Sequence, residues 1–138
     1  MVGITNAICG DIIGSVYELK ADRTKDYNFP LITSKSAFTD DTVHTCAVAD
    51  WLMHTDRTKD DLVEKIVEWS NRHDVGYGYM FKKWLDGNNH TPYGSFGNGS
   101  AMRVSPVAWI AKSESECLRL AEISASVTHN HEEGIKGA

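Results

Sequence analysis

Apolar residues return every three or four positions along nearly the whole chain, and that spacing limits the fold more than any other feature. Ile4, Ile8, Ile12, Val16 and Leu19 mark one stripe of an amphipathic helix. A second helix is predicted from Thr39 to about His54, with Val43, Cys46, Ala47 and Trp51 on its buried side. Thr58 and Asp61 resemble a capping box opening a third helix carried by Leu62, Ile66, Val67 and Trp69. Met80, Phe81, Trp84 and Leu85 predict a short fourth helix that Gly87 ends. Ser100 reads as the cap of a fifth helix to Lys112, with Pro106 bending it or sitting in its first turns. Ser113 and Glu116 read as another capping box, with Cys117, Leu120, Ala121, Ser124 and Val127 facing inwards on a sixth helix. Asn130 and Glu133 announce a seventh, which has a start signal and no stop signal before Ala138. No segment shows the alternation of a strand. The expectation is an all-α fold, one helical domain over residues 1–138, with a C-terminus read as artificial.

A chain of 138 residues can bury about two thirds of its unfolded surface, enough for one core. The net charge of -5 gives no general attraction to nucleic acid or to an anionic membrane. A phosphate-bearing ligand must therefore be held by local groups. Cys9, Cys46 and Cys117 are widely spaced, with no CxxC pair, so neither a disulfide framework nor a zinc knuckle is indicated. The start carries no basic residue ahead of an apolar run, and no segment approaches a membrane span; the expected location is the cytoplasm.

Four segments carry chemistry. Thr39-Asp40-Asp41-Thr42 puts two carboxylates between two hydroxyls at a helix start, the hard oxygen donors that magnesium prefers. The same residues also serve as a cap and as first-turn charges that complement the helix dipole. In Gly10-Asp11-Ile12-Ile13-Gly14-Ser15-Val16-Tyr17-Glu18, Asp11 and Glu18 share a helix face, placed to orient a sugar hydroxyl or water or else simply exposed. Ser95 to Arg103 is a glycine-rich loop running into a helix, either a phosphate cradle or a plain turn with a cap. It has neither the GK[ST] ending of a Walker loop nor a preceding strand. His129-Asn130-His131 is an HxH pair with no identifiable third zinc ligand, better suited to ligand contact or capping.

The order GDIIGSVYE, FTDDTVHT, GSFGNGSAMRVSPV and SVTHNHEEGIKGA resembles the motif order of the ADP-ribosylglycohydrolases, over nearly the whole chain. The resemblance implies the N-terminal portion of their orthogonal multi-helix bundle. It further implies two magnesium (or manganese) ions, held here by Thr39, Asp40 and Asp41, with Glu18 and Asp41 as catalytic carboxylates. Gly97, Asn98, Gly99, Ser100, Met102 and His129 would then bind the ADP-ribose. The implied reaction is hydrolysis of the N- or O-glycosidic bond between ADP-ribose and an acceptor, with an ADP-ribosylated protein or an ADP-ribose-containing small molecule as substrate.

One departure stands out. The Asp-x-Asp-Thr motif that completes the family's metal site is absent from these residues. Turnover is therefore expected to need a C-terminal half, supplied by further sequence or by another chain. The alternative is a shortened, non-catalytic relative that binds ADP-ribose and metal or acts as a structural oligomer. Either way, apolar faces left uncovered would favour a homo-oligomer or pairing with a complementary half.

Overall fold

The computed structural model describes residues 2–18 and 23–138; Leu19, at the end of the first predicted stripe, lies outside them. Within them the structure is helical, with eight α-helices joined by loops: α1 (Val2–Gly14), α2 (Asp40–His54), α3 (Lys59–Arg72), α4 (Tyr79–Leu85), α5 (Gly99–Arg103), α6 (Ser105–Ile110), α7 (Glu114–Ser126) and α8 (Glu132–Lys136). A single 3-10 turn, Ser15–Tyr17, prolongs α1. None of these helices is long and apolar enough to cross a membrane.

The central element is α2, packed by α1, α3, α5 and α6. It buries Val43, Ala47, Val48, Ala49, Trp51 and Leu52, and also His44 and Thr45, so its apolar surface exceeds the single predicted stripe. Leu62 and Ile66 of α3, Trp84 and Leu85 of α4, Val107 of α6 and Leu120 and Ala121 of α7 complete the core around it. Burying a large apolar side chain of this kind contributes about 1.5–3 kcal/mol.

The turn from α2 to α3 is held by its own polar groups. The Trp51 indole donates to the Thr58 carbonyl at 2.9 Å, and the Arg57 guanidinium donates to the Leu52 carbonyl at 2.9 Å. Arg57 takes φ 62°, the left-handed region, to make that turn. The capping box is present: Thr58 Oγ1 accepts from Asp61 N and the Asp61 carboxylate accepts from Thr58 N.

Elsewhere the structure corrects the sequence reading. The predicted fifth helix is two, because the chain turns at Val104 and Pro106 sits in the first turn of α6, where its missing N–H costs nothing. Ser100 is not a cap. It lies inside α5, after Asn98, and its buried hydroxyl donates to the Gly134 carbonyl at 2.6 Å. Ser113 does cap α7, but the Glu116 carboxylate reaches past it to Lys112 N, so the box is not reciprocal. His131, and not Asn130, caps α8: its ring nitrogen accepts from Glu133 N, while the Asn130 side chain accepts from Gly94 N. The α1 stripe is only half buried, and among the described side chains of that helix the buried one is Asp11.

The C-terminal turn and the loop before α5 are packed tightly together. A Cβ at Gly134 would stand 2.6 Å from the Ser95 carbonyl oxygen, and Tyr93 N and Ser95 N both donate to the Thr128 carbonyl. Trp109 on α6 and Leu118 on α7 remain exposed, as do Tyr79, at the start of α4, and Phe96 in the loop.

Candidate metal and nucleotide-sugar site

The site is built around one buried carboxylate. Asp11 of α1 accepts from Thr39 N at 2.8 Å, from Thr39 Oγ1 at 2.6 Å, and from the backbone and hydroxyl of Thr42. These bonds pin the start of α2 to α1. They also fix the Thr39 hydroxyl proton on Asp11, while Thr39 Oγ1 accepts from Asp41 N at 3.3 Å as the cap of α2. A second Thr39 lone pair is left for a cation.

Asp41, Glu18 and Asp11 converge: one carboxylate oxygen from each lies within 4.8 Å of the others. Burial pushes the Asp41 carboxyl up to about 6, with Asp40, Asp11 and Glu18 adding to the rise. Glu18 is raised by burial and then by Asp11 and Asp40, and Asp40 is raised chiefly by its own burial. The shared direction marks a concentration of negative charge, and the donors are all hard oxygens. The residues present therefore fit a divalent cation.

Asp40, close enough to raise Asp41 and Glu18, also reaches a second compartment. It lines a cavity of about 340 Å³ with Gly97, Asn98, Gly99, Met102 and His129. The two adjacent carboxylates thus touch two compartments, an acidic cluster and a sugar-sized pocket. Of the residues assigned to ligand binding, only Ser100 is turned away, its hydroxyl committed to Gly134. Gly99 is needed for closeness: a Cβ there would stand 2.8 Å from His129 Cε1. The HxH pair is divided, since His129 Nδ1 meets Thr128 Oγ1 and His131 caps α8.

Arg103 and His44 are among the cavity residues that escaped the sequence reading. Arg103 is fully buried, and donates to the Ser124 carbonyl at 2.7 Å and to Thr128 Oγ1 at 2.8 Å. Among the described residues no carboxylate pairs with it; the carbonyl end of α7 does. His44, stacked on Tyr77, lies deeper, and burial drives its pKa down to about 3. Arg103 closes a plain sequence motif, and nothing in its spacing shows that it turns inward.

A family model described as ADP-ribosylglycohydrolase matches residues 4–138. The chain belongs to the ADP-ribosylglycohydrolase family. It is similar to ADP-ribosylhydrolase ARH3 of Mus musculus, 28% identical over 98% of this chain and 45% of that protein. The Homo sapiens protein of the same name is also 28% identical, over 98% of the chain and 46% of the relative. A solved structure titled "ADP-ribosylglycohydrolase-related protein complex" superposes with a TM-score of 0.72 at 20% identity, covering 97% of this chain and 50% of that one. This likeness shows the all-α ADP-ribosylglycohydrolase fold. The chain spans somewhat less than half the length of the curated relatives it matches.

The raised Asp41 carboxyl has a measurable consequence. A group whose folded pKa, about 6, exceeds its ordinary 3.8 favours folding below that range and opposes it above. Complete burial would make this about 3 kcal/mol; for a half-exposed group, screening leaves about 1 kcal/mol. Without added metal, Asp41→Asn should therefore be more stable than the parent by about 1 kcal/mol at pH 7.5 and nearly equal to it only below the ordinary carboxylate value, at about pH 3. Urea melts at the two pH values measure this, and a loss of stability at pH 7.5 would contradict it.

Proposed function

We propose that this chain is the metal- and nucleotide-sugar-binding half of a magnesium-dependent ADP-ribosyl glycoside hydrolase. One observation carries the reading: Asp40 and Asp41, adjacent in sequence, face the glycine-loop cavity and the Asp11–Glu18 cluster respectively. A nucleotide sugar in the cavity would have its reacting ribose at the junction of the two.

Thr39, Asp40 and Asp41 would hold magnesium, with manganese as a substitute. Two ions are expected across the completed family site, which needs ligands beyond these residues. Bound there, the metal would polarise water and orient ribose hydroxyls. The chain's own part is to position and to move protons. Glu18, raised by burial and by Asp11 and Asp40, and Asp41 would be the carboxylates that handle the protons of water and of the leaving group. Gly97, Asn98, Gly99 and Met102 would lie along the diphosphate and riboses, with the first-turn amides of α5 free to donate. The Ser100 hydroxyl is occupied, so its contribution would come through the backbone. The acceptor would be a protein or a small molecule joined through an N- or O-glycosidic bond.

Completion of the metal shell would come from a complementary C-terminal half or from a second copy, and Trp109 and Leu118 are among the exposed apolar side chains available for such pairing. Cytoplasmic placement and oligomerisation belong to this same proposal.

Adding magnesium or ADP-ribose at about ten times its Kd should stabilise the protein by roughly 1.4 kcal/mol, raising Tm by about 4 °C. Asp41→Asn should abolish the magnesium response. Differential scanning fluorimetry with calorimetric titration of ADP-ribose measures both. No heat and no Tm shift at millimolar ADP-ribose with magnesium present would defeat the reading. Binding without release of ADP-ribose from a modified substrate would favour the non-catalytic relative.

A further inference from the structure

Behind the glycine loop runs a chain of buried polar groups with a fixed direction. Arg103, Thr128 and His129 are 1%, 0% and 5% exposed. Arg103 Nη2 donates to Thr128 Oγ1 at 2.8 Å, and Thr128 Oγ1 lies 2.7 Å from His129 Nδ1. A guanidinium can only donate, so one threonine lone pair is taken. The remaining question is which of Thr128 and His129 supplies the second proton.

If His129 Nδ1 carried the proton, the threonine oxygen would accept twice. Its own hydroxyl proton would then need an acceptor, and among the described residues the hydrogen-bonding neighbours of Thr128 Oγ1 are Arg103 and His129. A buried hydroxyl proton without an acceptor costs about 1–3 kcal/mol. With the threonine donating to Nδ1, every proton in the chain is used. Burial and the nearby Arg103 charge also keep the ring neutral, with a pKa lowered to about 4. One ring nitrogen therefore accepts, and the other must carry the hydrogen.

That other nitrogen, Nε2, points at the loop. A Cβ at Gly99 would stand 3.1 Å from it and one at Gly97 would stand 3.9 Å away, and His129 lines the cavity between them. Among the described residues, no acceptor meets it. We propose that Arg103 and Thr128 are positioning residues that hold His129 as a neutral Nε2–H donor, aimed at an acceptor oxygen of the bound ligand between Gly97 and Gly99. The tautomer can be read from the free protein; the ligand clause rests on the ADP-ribose reading above. The direction of the chain also excludes His129 as a proton acceptor at the cavity, so general-base work falls to the carboxylates.

Long-range 15N–1H NMR of the free protein, assigned with His129→Gln, distinguishes a pyrrole-type from a pyridine-type nitrogen. The expected result is protonated Nε2 and unprotonated Nδ1 at pH 7. Protonated Nδ1 would overturn the proposal outright. Thr128→Val should lose the single-tautomer signature and weaken ADP-ribose binding about tenfold, while Thr128→Ser should restore both. A folded Thr128→Val protein with unchanged tautomer and unchanged affinity would also overturn it. If the parent shows the Nε2–H tautomer but binds no ADP-ribose, the positioning stands and the ligand assignment fails.

Discussion

Asp11→Ala should cost the metal-free protein about 2–3 kcal/mol and should also abolish its thermal response to magnesium. Four donors lose their acceptor at once: Thr39 N and Oγ1 and Thr42 N and Oγ1. Each ordinary hydrogen bond contributes about 1 kcal/mol net, and those to a charged acceptor about 1.5–3 kcal/mol. Two effects reduce the sum. Water can reach the half-buried threonines, and removing Asp11 relieves the repulsion that helps to raise Glu18, Asp40 and Asp41. The hydrogen bonds win because Asp11 is buried at short distances from its donors, whereas the other carboxylates are partly solvated. Without Asp11 the Thr39 hydroxyl is free to rotate, and α1 is no longer pinned to the start of α2. Asp11→Asn should fall between, since its amide group cannot accept from the threonines on both sides. Chemical denaturation gives the stability and fluorimetry with magnesium gives the response; an unimpaired response in a folded Asp11→Ala protein would remove Asp11 from the site.

Arg103→Met should be comparably severe for folding, costing about 3–5 kcal/mol, or roughly 10–20 °C in Tm. Methionine matches much of the side-chain volume, so the loss is one of polarity. The Ser124 carbonyl and the Thr128 hydroxyl would be left buried without their donor, at about 1–3 kcal/mol each. Burial lowers the Arg103 pKa only to about 10, so the group is charged at neutral pH and the carbonyl end of α7 stabilises it. Arg103→Lys keeps the charge but not the planar fork, and should lose about half as much. Urea melts measure all three proteins. A loss below about 1 kcal/mol in the methionine variant would mean that water reaches those carbonyls.

These two residues also mark where the sequence stopped being readable. Short-range signals were reliable: Thr39 caps α2, Thr58 and Asp61 form their box, and the apolar spacing placed α2, α3 and α7. The TDDT motif could be seen because its donors are adjacent. Asp11 could be placed on a face with Glu18, but its real partners lie 28 and 31 residues away, and no local period encodes that pairing. Ser100 failed as a cap for a related reason. A serine before an apolar run is a sound local signal, yet the Gly134 carbonyl offered its hydroxyl a better partner across the fold. Asn130 lost its capping role to the Gly94 amide in the same way. Among the described residues, tertiary hydrogen bonds overrode local chemistry where loop and helix ends meet around the cavity.

The contact between Gly134 and the Ser95 carbonyl bears on any attempt to exchange substrate preference by loop transplantation. The loop ahead of α5 does not pack against α5 alone; α8 is pressed against its backbone with no room for a methyl group. A donor loop brought in alone would meet a surface shaped for a different partner. A workable transplant would move residues 93–99 together with 128–138 as one cassette.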